Sequence, residues 1–248
     1  MTQQPPPPPP SESPNPPDGT SDGASDGDDL QLSIIGLRTL PDAGEPGEMA
    51  IELNTTRGVI ETRLHPCEGK TGCAIFFGGA MGGFDGPADR VYQRLGRDLV
   101  ARGITSVRVQ WRKPGEFEEC VMDALAACSF MRGIGAERAV MIGHSFGGAV
   151  AIKAGQLGDL VDAVAAMSSQ RHGTQDVDAL GKPLLLVHGS ADDVLDRAAS
   201  DDIYERAKDP KELVILEGAG HGLTEAADEV YDRLTDFIAR HVGDGDPE

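Results

Sequence analysis

The stretch Arg138-Ala-Val-Met-Ile-Gly-His-Ser145-Phe-Gly-Gly-Ala-Val-Ala-Ile-Lys-Ala-Gly155 carries the reading of this 248-residue chain. It opens on an apolar run, residues 139–142, that reads as a buried strand. It passes through Gly143-His144-Ser145-Phe146-Gly147-Gly148 and continues as a small-residue helix over 146–156. This is G-x-S-x-G in a strand–turn–helix setting. Chemistry needs the serine on a tight, strained turn that lifts its hydroxyl above the sheet. Gly143 and Gly147 lack Cβ atoms, so strand and helix approach closely. The Phe146 backbone N–H, at the helix start, then points where an oxyanion would form. The bland alternative is a glycine-rich turn with an idle serine.

Working outward, residues 50–54 and 59–64 read as two strands of a hairpin turning near Arg57-Gly58. Further strands are expected over 73–78, 104–111, 138–143, 161–167, 183–188 and 213–216. They alternate with helices over 87–102, 116–132, 146–156, 197–208 and 224–242. A hairpin followed by strand–helix alternation implies a mainly parallel sheet with helices on both faces. Continuous apolar strands such as Pro183-Leu-Leu-Leu-Val-His188 fit a sheet buried on both sides. In such sheets chemistry gathers at the carboxyl ends of the strands.

Residues 1–30 are a different polymer. They hold nine of the 17 prolines, the acids Glu12, Asp18, Asp22, Asp26, Asp28 and Asp29, and no Lys or Arg. Such a segment buries too little apolar surface to offset its ordering entropy, so we expect a disordered tail, with polyproline II over Pro5–Pro10. A solubilising role is its simplest use. A ligand for an SH3-like or WW-like domain is the functional alternative, with the partner unknown. Residues 31–243 form one domain of ordinary size, and the acidic end 244–248 is expected to fray.

With 22 Lys plus Arg against 41 Asp plus Glu, the formal net charge is −19. That charge argues against nucleic acid and anionic membranes as partners. No apolar run approaches the ~20 residues of a membrane span. The start lacks a secretory signal pattern, so a cytoplasmic location is expected. Cys67, Cys73, Cys120 and Cys128 have no zinc spacing and are expected as reduced thiols. No metal or organic cofactor is called for.

A serine hydroxyl needs a base. His221, in Leu213-Val-Ile-Leu-Glu-Gly-Ala-Gly-His221-Gly, follows the last strand on a glycine-flanked loop. His188 ends a buried strand and reads as structural, and His144 as packing and turn support. His65, His172 and His241 read as surface or loop residues. The imidazole in turn needs a carboxylate. His188-Gly-Ser-Ala-Asp192-Asp193 offers two just past a strand end. Spacing does not choose between them; Asp192 is preferred, the other being an N-cap or turn residue. Glu68-Gly69-Lys70-Thr71 mimics a phosphate-binding loop, but Leu64 stands where its first glycine belongs, and a strand follows.

On GHSFGG, HGSAD and GAGH, in that order, the chain resembles the α/β-hydrolase family over residues 49–242. The resemblance implies that fold, with the N-terminal antiparallel hairpin, helices on both faces and a catalytic triad of Ser145, Asp192 and His221. The HGxxD stretch of family members supports Asp192. The likeness also implies a second oxyanion donor in the loop Gly78–Gly83, with Ala80 first by position and Met81 second, beside Phe146. This chain has Gly78-Gly79 where family members often carry His-Gly. Only about 15 residues separate the strand over 161–167 from the next, too few for a cap domain. The chain is thus similar to small uncapped esterases and dienelactone hydrolases, although the latter carry a cysteine nucleophile. The expected activity is hydrolysis of a small-molecule ester, thioester or lactone through an acyl-enzyme. Trp111 is a candidate substrate contact, with Met81, Phe84 and Arg112 as further candidate walls. The alternatives are an acyltransferase or amidase using the same triad, and a non-catalytic interaction protein of hydrolase fold. A homodimer is compatible with this reading.

Overall fold

The computed structural model describes residues 31–41 and 44–243. The expectations for the tail, residues 1–30, and for residues 244–248 lie outside the described residues. Nine strands form one sheet in the order β1-β2-β3-β5-β4-β6-β7-β8-β9. The antiparallel part comprises β1 (Ile34–Leu40), β2 (Met49–Thr55) and β3 (Gly58–His65). β3 pairs antiparallel with β5 (Thr105–Val109). From there the sheet is parallel: β5, β4 (Gly72–Phe77), β6 (Arg138–His144), β7 (Val161–Met167), β8 (Leu184–Gly189) and β9 (Lys211–Leu216).

The parallel strands are apolar on both faces because both are covered. Alternate residues of β4 serve different cores: Cys73, Ile75 and Phe77 face one, Ala74 and Phe76 the other. The first core is closed by α2 (Phe117–Gly133) and α3 (Phe146–Leu157). The second is closed by α1 (Pro87–Leu99) and α5 (Ala227–Val242). α5 buries Val230, Leu234, Phe237 and Ile238, the stripe its 3.6-residue spacing predicts. α4 (Ala198–Arg206) covers the edge near β8 and β9, burying Ile203. This is the α/β-hydrolase fold without a cap: the segment from β7 to β8 holds only a short 3-10 turn, Val177–Ala179.

Two features depart from the sequence expectation. The edge strand β1 was not anticipated. Exposure alternates over residues 34–37, but the apolar Ile35 and Leu37 fall on the outward face and Gly36 on the inner one, so the apolar/polar pattern that announces a half-buried strand is missing. α1 is also shorter than residues 87–102. Ala88, Asp89 and Arg90 have φ of 50 to 63°, so right-handed helix begins only after them, and its end tightens into a 3-10 turn stopped by Gly103 in the left-handed region.

Burial should dominate the response to substitution. Leu234→Ala, at a fully buried position of the second core, is expected to cost about 2–5 kcal/mol in urea unfolding. Ile35→Ala, at a side chain 69% exposed on the edge strand, should stay within about 0.5 kcal/mol.

Candidate active site

The turn after β6 is strained where the sequence requires it. Ser145 has φ 56° and ψ −119°, a conformation that non-glycine residues avoid. Three backbone hydrogen bonds hold it there. Its N–H donates to the Met167 carbonyl at 2.8 Å, and its carbonyl accepts from Gly148 at 3.1 Å and Gln170 at 3.3 Å. The flanking glycines are needed for approach. A Cβ on Gly143 would collide with the Gly147 carbonyl, and one on Gly147 with the carbonyl of Gly78. The Phe146 N–H opens α3, among the donors that lack an intrahelical acceptor.

The loop after β4 runs beside this turn because β4 and β6 are paired, Phe77 with Gly143. Gly79 faces the serine: a Cβ there would stand 3.9 Å from Cβ of Ser145. The loop folds back with Gly82 N–H donating to the Gly79 carbonyl at 2.9 Å, which places Ala80 and Met81 at its corner. Met81 is 80% exposed. Two residues just beyond the end of β5 brace the loop. The Gln110 side chain accepts from Gly83 N–H at 2.6 Å and donates to the Met81 carbonyl at 3.4 Å. The Trp111 indole N–H donates to the Gly79 carbonyl at 2.8 Å.

Trp111 therefore does a different job from the substrate contact expected of it. Its ring is only 3% exposed, stacked on Phe77 and edge-on to Phe146. It supports the loop from beneath. Arg112 is likewise no pocket wall, since its buried guanidinium is ion-paired with Glu119 and Asp123. Gln110 escaped the sequence reading, because a lone polar residue at a strand end carries no motif.

His221 stands on the loop between β9 and the 3-10 turn Thr224–Ala226. Its Nδ1 lies 2.8 Å from Oδ2 of Asp192. Of the two candidate aspartates, Asp192 is buried against this ring and Asp193 is exposed. The other carboxylate oxygen of Asp192 accepts the N–H groups of Val194 and Leu195, each at 2.9 Å. Burial disfavours the charged carboxylate, but the Leu195 N–H, the His221 ring and the Val194 N–H outweigh it and hold the pKa below the ordinary value. His144 supports His221 directly. Its Nε2–H donates to the His221 carbonyl at 2.9 Å, and the two rings lie 4.8 Å apart. Burial pushes the His144 pKa down to about 4, against the opposing effect of that hydrogen bond.

The four cysteines are free thiols. Burial raises the pKa of Cys73, Cys120 and Cys128, so none of these three is a ready nucleophile. Among the described residues, Glu45, Glu48 and His65 come within 4.8 Å of one another, a spacing that could hold a metal. Glu48 is already matched there by Arg63 and by the buried Arg108. The group lies near the start of β5, where His65 pairs with Ser106, at the opposite strand ends from Ser145. No described helix is long and apolar enough to cross a membrane.

The Dienelactone hydrolase family profile matches residues 80–238, most of the chain. This chain belongs to that family. It is therefore an enzyme of a hydrolase family, and its sheet is found in solved relatives. Est1E from Butyrivibrio proteoclasticus superposes with a TM-score of 0.68 at 16% identity, over 77% of this chain and 98% of its own. A dienelactone hydrolase from Anabaena variabilis gives 0.69 at 17% identity, over 79% and 99%. XC6422 from Xanthomonas campestris, described as a serine hydrolase without a lid, gives 0.68 at 19%, over 82% and 98%. At these identities the likeness is one of fold. Alpha/beta hydrolase domain-containing protein 17B from Xenopus laevis is 33% identical over 66 residues, a match spanning 27% of this chain and 23% of that protein.

The lowered pKa of His144 gives the family member a defined acid response. An unfolded histidine titrates near 6.5, and folded His144 resists protonation until about 4. Its share of stability is complete above pH 6.5 and lost as pH falls towards 4, by about 3 kcal/mol. Urea midpoints measured across that window should fall less steeply in His144→Gln than in the unmodified protein.

Proposed function

We propose that this enzyme is a serine hydrolase that cleaves a small ester, thioester or lactone through an acyl-enzyme on Ser145. The observation that carries the reading is the 2.8 Å hydrogen bond from His221 Nδ1–H to Asp192, at the same sheet edge as the strained Ser145. With its hydrogen on Nδ1, the ring offers Nε2 as the base.

In the first step Ser145 Oγ attacks the substrate carbonyl carbon, and its proton passes to His221 Nε2. Asp192 stabilises the imidazolium so formed. The negative charge moves to the carbonyl oxygen, which the Phe146 N–H and a donor from Ala80 or Met81 receive. His221 then gives its proton to the leaving oxygen or sulfur, and that bond breaks. Water attacks the acyl-enzyme by the same route, releasing the acid and restoring the Ser145 hydroxyl. Among the described residues Ser145 Oγ is not yet hydrogen-bonded to His221. Such contacts commonly close only around substrate. The short β7–β8 connection leaves the site without a cap, which suits a small acyl substrate met from solvent.

A fluorophosphonate probe should label the protein at Ser145. Labelling should vanish in Ser145→Ala, and ester turnover in Ser145→Ala or His221→Ala should drop by about 10⁴-fold or more. A folded protein that resists the probe and hydrolyses no ester would overturn the reading.

The second oxyanion donor can be assigned separately. Proline removes a backbone N–H and keeps the carbonyl. If Ala80 is the donor, Ala80→Pro lowers kcat by about 10²–10³-fold and Met81→Pro has a much smaller effect. The reverse order would move the role to Met81.

A further inference from the structure

The ring of His188 is fully buried at the end of β8, and the proposed chemistry gives it no role. It is nevertheless held at both nitrogens. Nδ1 lies 2.7 Å from Oγ of Ser200 on α4. Nε2 lies 3.0 Å from the Leu195 carbonyl oxygen and 3.1 Å from Oδ2 of Asp192. Those two oxygens can only accept. A lone pair on Nε2 would face both at contact distance, so the hydrogen belongs on Nε2. Nδ1 then accepts from the Ser200 hydroxyl. The Nε2–H donates to Leu195, and its positive end lies alongside the same Asp192 oxygen that receives His221. Leu195 closes the circuit, since its own N–H donates to the other oxygen of Asp192.

We propose that His188 is a positioning residue that fixes the Asp192 carboxylate, with Ser200 fixing its tautomer. The inference rests on the proposed role of Asp192 as partner of His221. It gives His188 a task distinct from that of His144. His144 grips the main chain of His221, whereas His188 grips the turn from Asp192 to Leu195 and fills the space beside Oδ2. Without it, Oδ2 loses the neighbour that confines it, and only the two N–H groups on Oδ1 and the His221 ring itself oppose rotation of the carboxylate.

The test is steady-state ester hydrolysis and the rate of fluorophosphonate labelling. Both are measured for His188→Leu, His188→Gln and Ser200→Ala in the full chain, each alone and with Asp192→Ala. His188→Leu should lower kcat about tenfold and leave KM within about twofold. Glutamine can bring an amide N–H to the position of Nε2–H, so His188→Gln should restore most of that loss. Ser200→Ala should lose about threefold. None of the three should lower the residual rate further once Asp192 is alanine, because their effect runs through the carboxylate. Equal losses in both backgrounds, full activity in His188→Leu, or a glutamine variant no better than leucine would overturn the proposal. If His188→Leu does not fold, Ser200→Ala decides alone: loss only when Asp192 is present supports it, and equal loss or none overturns it. Failure of the unmodified chain to label at Ser145 would instead overturn the hydrolase reading, and this inference with it.

Discussion

Phe77 pairs with Gly143 across two parallel strands, and the chemistry of the chain depends on that register. β4 leads through α1 to β5 on one side, whereas β6 lies on the other side of β4 and continues to β7. The two chains thus leave neighbouring strand ends towards opposite sides, the position at which sheets of this kind place their ligands. One exit becomes the loop Gly78–Gly83 and the other the serine turn. Each exit folds tightly on itself, leaving no room for a Cβ on Gly78 or Gly143, and the two touch at Gly147, where a Cβ would strike the Gly78 carbonyl. In the proposed mechanism this close approach brings the Phe146 N–H and the N–H groups of the Gly78–Gly83 loop towards one point. A side chain there would push them apart long before it affected the rest of the sheet.

A non-glycine residue held at positive φ costs of order 1–3 kcal/mol, and it persists only where its surroundings over-determine it. Here they do. The Ser145 N–H and carbonyl are tied to β7, to the first turn of α3 and to the loop after β7. The neighbouring loop is braced by Gln110 and Trp111, with Phe77, Trp111, Phe146 and Phe117 packed in succession beneath it. The rigidity of the site is thus drawn from core packing, which responds little to solvent or salt. That suits the proposed oxyanion site, whose value lies in dipoles that need no reorganisation.

The sheet was legible because parallel strands buried on both faces are continuous apolar runs, and β7 was read at residues 161–167 as observed. The glycine spacing around Ser145 was legible because close approach leaves only one residue type. The choice of Asp192 over Asp193 was not settled by spacing, since adjacent residues differ only in which way the chain turns. The structure buries one and exposes the other. Trp111 shows the opposite difficulty. A tryptophan at a strand end reads equally well as a pocket wall or as a brace, and only the third dimension separates them. His188 was read as structural because it ends a buried strand; that Asp192 and Leu195 curl back onto it is a long-range fact that no local pattern encodes.

The arrangement around Asp192 has a physical logic of its own. A carboxylate taken out of water needs several donors, and this one has two backbone N–H groups on Oδ1 and an imidazole on Oδ2, with His188 alongside. Each added donor makes the charge easier to bury, yet also weakens its pull on His221. The balance is struck by geometry. The His188 N–H aims at the Leu195 carbonyl and only borders the carboxylate, so it restrains the oxygen without claiming its proton-accepting direction. His144, held uncharged by burial, adds no positive charge near His221 when the medium is neutral. Two imidazoles can therefore stand beside one carboxylate: both nitrogens of His188 are engaged, by Ser200 and by Leu195, whereas His221 meets Asp192 through Nδ1 alone and leaves Nε2 for the proposed reaction.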